Sequence, residues 1–135
     1  MALEIALLAY TKAQVTVVSN RVYALKAPQG VTEPYIVFNV ISKNFIHSMD
    51  TDSGLTESVV RFSAVGATYK SAKETAEAIK TAYRNYVQGK DLFGSYMGSS
   101  EWVQATLLSG EADFYEVDTG RFYVDLDVIF WHKET

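Results

Sequence analysis

The chain has 135 residues, 48% of them hydrophobic, enough for one domain with a real core and too short for two ordinary ones. It contains no cysteine, so disulfides, thiolate nucleophiles and thiolate metal sites are excluded. A formal charge of −4 makes the whole-molecule field repel phosphate backbones, which argues against sequence-specific nucleic-acid binding.

The first ten residues are apolar but include Glu4, lack a basic lead-in and are too short for a secretory signal. No later apolar run approaches membrane-spanning length, so the expectation is a soluble protein, intracellular when made, with no membrane partner. From Ala2 to Lys12, Leu3, Ala6, Leu7 and Tyr10 recur at helical spacing, which predicts an amphipathic first helix. The β-branched run Val15 to Val18 fits either a short extended piece or a helix tail.

Pro28, Gly30 and Pro34 punctuate a loop. Tyr35 to Lys43 then reads as a strand, with Ile36, Phe38 and Val40 on one face and Tyr35, Val37, Asn39 and Ile41 on the other. Asn44 to Gly54 reads as a polar connection to a second strand, in which Val60, Phe62 and Ala64 alternate with Glu57, Arg61 and Ser63, closing a hairpin. Ser71-Ala72-Lys73-Glu74 has the form of a capping box, and Ala72, Ala76, Ile79, Ala82, Tyr83 and Tyr86 carry a helix on to about Gly89. Its small alanines suit close packing on a sheet, with Lys73, Glu77, Lys80 and Arg84 facing water.

Gly89 to Ser100 is a glycine-rich connection holding more apolar surface than a spacer needs, in Leu92, Phe93, Tyr96 and Met97. Trp102 to Glu116 and Arg121 to His132 read as two long strands joined by Asp118-Thr119-Gly120, where glycine takes the left-handed turn position. The last strand puts Phe122, Val124, Leu126, Val128 and Phe130 on one face and Tyr123, Asp125, Asp127, Ile129 and Trp131 on the other. The expected fold is α+β, a largely antiparallel four-stranded sheet with helices packed on one face, in the order helix-hairpin-helix-hairpin within a single domain spanning 1–135.

Candidate chemistry fails on named residues. Asp50, Asp52 and Gly54 suggest a calcium loop, but the sixth and twelfth positions from Asp50 are Leu55 and Arg61, where an EF-hand has glycine and a bidentate glutamate. His47, Ser48 and Asp50 are hydrolytic residue types crowded on one loop, a poor geometry for a triad. The only histidines, His47 and His132, do not complete a zinc site by themselves, and in Gly89-Lys90 an acid, Asp91, follows the lysine of what would be a phosphate loop. Asp125 and Asp127 share a strand face, an arrangement typical of solvated acids or of acids that meet a neighbouring subunit's cation. No catalytic residue, cofactor or metal is expected.

The aromatic residues are more informative. Tyr35, Val37, Ile41, Tyr123, Ile129 and Trp131 lie on the strand faces opposite the core, a patch that marks an interface unless the 89–100 loop or the first helix covers it. With Phe93, Tyr96, Met97, Asp125 and Asp127, they are the candidate contacts to neighbouring subunits or other partners.

The chain also resembles the tail-completion (tail terminator, or head-to-tail joining) proteins of long-tailed phages and phage-like particles. The resemblance lies in the order and spacing of Asn20 to Tyr23, the Ala27 to Gly30 turn, Pro34 to Phe38, Asp52 to Leu55, Ala67 to Tyr69, Asp113 to Glu116, Thr119-Gly120 and Phe130-Trp131. The 89–100 loop is longer than the family pattern. The resemblance implies a structural protein without catalytic residues, forming a ring, commonly hexameric, that ends the tail tube, meets the head connector and lets DNA pass. It further implies a place in the virion at the head-tail junction, and in the host cytoplasm during assembly. The residues alone also permit a small-ligand or peptide-binding module that uses the same aromatic and acidic face.

Overall fold

The computed structural model describes residues 8, 11, 12, 15, 18, 21–28, 30–32, 34–47, 52–86 and 103–133. Five strands, β1 (Val22–Ala24), β2 (Tyr35–His47), β3 (Asp52–Gly66), β4 (Val103–Glu116) and β5 (Arg121–Lys133), form one sheet in the order β1-β2-β3-β5-β4. One helix, α1 (Tyr69–Tyr86), crosses it between β3 and β4.

The expected four-stranded antiparallel sheet in helix-hairpin-helix-hairpin order is therefore corrected to a five-stranded mixed sheet with one helix among the described residues. The added strand, β1, runs parallel to β2, pairing Val22 with Ile36 and Ala24 with Phe38. Parallel neighbours need a return connection as long as the strand. Because β1 spans only about 10 Å at the usual rise of a strand, the loop from Leu25 to Pro34 suffices without a crossover helix. The proposed first helix lies mostly outside the described residues; Leu8, Thr11 and Lys12 are helical, and Val15 and Val18 are buried in the core.

The first hairpin is also longer than its polar connection suggested. Pairing continues through Asn44↔Glu57, Phe45↔Thr56, Ile46↔Leu55 and His47↔Asp52. The backbone ladder accepts polar side chains wherever they point to solvent, so polarity alone did not mark the end of pairing. A bulge at Ile41, between the pairs Val40↔Val60 and Ser42↔Val59, turns that side chain outward.

The core lies between the sheet and α1. Ile36 and Phe38 from β2, Val60, Phe62 and Ala64 from β3, and Val124, Leu126, Val128 and Phe130 from β5 are all buried there against Ala72, Ala76, Ile79, Ala82 and Tyr83. Tyr83 anchors the aromatic centre, its ring 5.1 Å from Phe62 and 5.5 Å from Phe130, and its hydroxyl is satisfied by Thr11 Oγ1 at 2.6 Å. Gly66 lets the helix start this close to the sheet, since a Cβ there would stand 2.7 Å from the Ala72 backbone nitrogen.

The helix cap differs from the capping box expected at Ser71. Thr68 is the N-cap: its Oγ1 accepts from the Ser71 backbone N–H at 3.1 Å, and its carbonyl accepts the first helical bond, from Ala72. Ser71 instead offers its carbonyl to the buried Thr75 hydroxyl at 3.0 Å. Nor do Lys73 and Lys80 simply face water. Lys73 Nζ lies 3.0 Å from both Glu111 Oε2 and Asp113 Oδ1, Lys80 Nζ lies 2.8 Å from Glu111 Oε1, and the Tyr69 hydroxyl donates to Asp113 Oδ2 at 2.7 Å. The outer half of β4 thus meets the helix through charge where β2, β3 and β5 meet it through apolar surface.

Candidate protein-interaction surface

The sheet face away from α1 follows from the strand register. Residues directly opposite one another in antiparallel strands share a face, so the outer side chains stand in rows across β2, β3, β5 and β4. The first row is Tyr35, Val65, Tyr123 and Phe114; the second is Val37, Ser63, Asp125 and Ala112. The third is Asn39, Arg61, Asp127 and Gly110, and the fourth is Ser42, Val59, Ile129 and Leu107. The fifth brings Glu57 beside Trp131. Aromatic and apolar rows therefore flank a polar belt.

Within that belt, Arg61 donates to both oxygens of Asp127, Nε to Oδ1 at 2.9 Å and Nη2 to Oδ2 at 3.3 Å. The bidentate bond to Asp127, with Asp125 nearby, raises the Arg61 pKa above its already high value. Asp127 is thus paired within its own chain, while Asp125 stands one row away beside Ser63 and Ala112.

Tyr35 is not a free interface residue. It is only 5% exposed, with Tyr23 packed edge-on at 6.4 Å and the Arg121 guanidinium 5.9 Å above its ring and donating to its hydroxyl at 3.2 Å. Together with Val37, Val65 and Tyr123, it floors a groove of about 880 Å³ whose rim is formed by Leu25 to Pro28 and Gly30. Burial, with Glu116 and Tyr35 close by, pushes the Tyr123 phenol above its usual range.

Of the sequence-derived candidates, the structure brings Tyr35, Val37 and Tyr123 together in this groove. Asp125, Asp127, Ile129 and Trp131 continue along β5, all half-buried. Ile41 is exposed at the β2 bulge, apart from the groove. Phe93, Tyr96 and Met97 lie outside the described residues.

Two features were not among the candidate contacts read from the sequence, although Phe114 and Tyr115 of the second lie in the Asp113 to Glu116 stretch that carries the resemblance. Leu25 has φ +65°, bends the chain through a tight turn in which Lys26 N–H bonds the Ala24 carbonyl at 2.7 Å, and exposes 78% of its surface. A large apolar residue in the left-handed region is a strained choice, the kind of outlier that points to a function for its side chain. The second feature is the β4–β5 tip, where Phe114, Tyr115 and Val117 are all exposed, Val117 at 80%. Adjacent aromatics on one strand occupy opposite faces, so Phe114 and Tyr115 break the inside-outside alternation, and that break was the available signal. Gly120, at φ +68°, closes the turn with its N–H on the Glu116 carbonyl.

No protein-family model matches the sequence, and no curated protein matches it. Solved structures that share the fold include a chain in the virion of a native gene transfer agent particle, with a TM-score of 0.62 and 15% identity over 93% of this chain and 90% of that one.

Proposed function

We propose that this protein is a non-catalytic structural component of a phage-like virion, forming a ring that ends the tail tube and joins it to the head connector while DNA passes through. The observation that carries the reading is the fold shared, along nearly the whole length of both chains, with a chain of the gene transfer agent virion. The sequence pattern of tail-completion proteins points the same way. So does the surface: a sheet face with apolar rows at both ends and an exposed aromatic tip suits repeated protein contact. The net charge of −4 suits a conduit that lets DNA slide past without trapping it.

The test is the mass of the purified chain by light scattering over a concentration series, alone and with the particle's tail-tube protein. A closed oligomer or a complex with the tube is expected; a monomer under every condition would remove the reading. The groove favours one competing reading, a peptide- or ligand-binding module, in which the chain stays monomeric and binds saturably.

A further inference from the structure

We propose that the β4–β5 tip of one protomer inserts into the Leu25–Gly30 groove of a second copy of this chain, a head-to-tail contact that rests on the ring reading above. The two edges of the sheet differ in charge. The segment 12–34, which contains edge strand β1 and the whole loop to β2, carries Lys12, Arg21 and Lys26 against a single acid, Glu33. The segment 103–120, which contains edge strand β4 and the tip, carries no base and four acids, of which Glu111 and Asp113 are paired with Lys73 and Lys80 of the helix, leaving Glu116 and Asp118 at the tip. The two edges lie at opposite ends of the strand order.

The groove itself has only basic charged residues on its walls, Lys26 and Arg121. Its own chain's Glu116 approaches from the β5 side, opposite Arg121 in register and bonded to Tyr123. Lys26 stands exposed on the other wall and makes no ion pair among the described residues, which leaves it open to an acid from a second copy. The tip offers matching chemistry, with the exposed Val117 for the apolar floor and Asp118 for Lys26. Leu25, held outward by its positive φ, closes over the apolar part of such an insert. Because groove and tip are different patches, the contact is heterologous and can be repeated from copy to copy, giving a ring where the repeated rotation closes.

The experiment compares wild type, Lys26→Glu and Asp118→Lys by sedimentation, with and without tail-tube protein. Both side chains are exposed, so unchanged circular dichroism and thermal midpoints are expected. Each single variant should weaken self-association at least about tenfold, a typical effect of placing like charges across an interface. An equimolar mixture of the two should reassemble, since one contact regains the original pair and the next holds the pair reversed. Wild-type-like assembly of either variant, or a mixture that stays apart, overturns the tip-in-groove contact while leaving the ring reading intact. Wild type that neither self-associates nor binds the tube overturns both.

Discussion

Leu25 concentrates the tension between stability and use at a single residue. Holding a leucine in the left-handed region costs on the order of 1 kcal/mol, whereas asparagine visits that region readily. Leu25→Asn should therefore keep or raise stability, by up to about 1 kcal/mol in chemical denaturation, and at the same time weaken self-association. A variant that lost stability would mean that the side chain packs within its own protomer. One that gained stability and assembled normally would leave the strain without a role in the contact.

At the scale of elements, α1 shows what could be read from the sequence and what could not. Its apolar stripe, Ala72, Ala76, Ile79 and Tyr83, was legible because helical spacing is local, and all four residues are buried. The alternation of Phe122 to Phe130 was legible for the same reason. Ser71 and Glu74 fit the capping-box pattern in sequence, whereas the side chain that caps the helix is Thr68, three residues earlier, without a reciprocal Glu or Gln. The ties from Lys73 and Lys80 to Glu111 and Asp113 reach across roughly thirty to forty residues of sequence and depend on where β4 lies in the sheet. Hydrogen bonding is the largest cause of the pKa shifts here: Lys80 and Lys73 lower Glu111, Tyr69 and then Lys73 lower Asp113, and the acids in turn raise Lys73 and, with Glu77, Lys80. Strand β1 was invisible because three residues show no periodicity and owe their conformation to β2. In the candidate surface, the outer residues of β5 could be listed from alternation, but the groove could not, because its rim arrives from a loop whose path no periodicity encodes. The cap assignment has a direct check. Thr68→Ala should cost about 1 kcal/mol of stability and Ser71→Ala less than about 0.5, the order expected for a cap and for a non-capping helix position. The reverse order would return the cap to Ser71.

For the whole molecule, the outer face is long enough to hold two separate contacts. From Tyr123 to Trp131, β5 runs eight residues, about 27 Å at the rise of an antiparallel strand, so Trp131 lies far from the groove. A half-buried tryptophan beside Glu57, on the face away from the core, contributes modestly to the fold of a lone protomer. At an assembled interface the same ring would be fully desolvated, the setting in which truncation of tryptophan costs 2 kcal/mol or more, as a rough guide. Trp131→Ala should therefore reduce ring formation by about thirtyfold or more while changing the thermal midpoint by only a few degrees, measured by sedimentation and by a thermal scan of the same preparation. Equal loss of both would assign Trp131 to the protomer's own packing and confine the assembly surface to the groove end. Because the two positions are well separated, combining Trp131→Ala with Lys26→Glu should give additive losses in association free energy if each removes a contact of its own. A double variant no weaker than the worse single one would mean that both substitutions act through one shared rearrangement of the face.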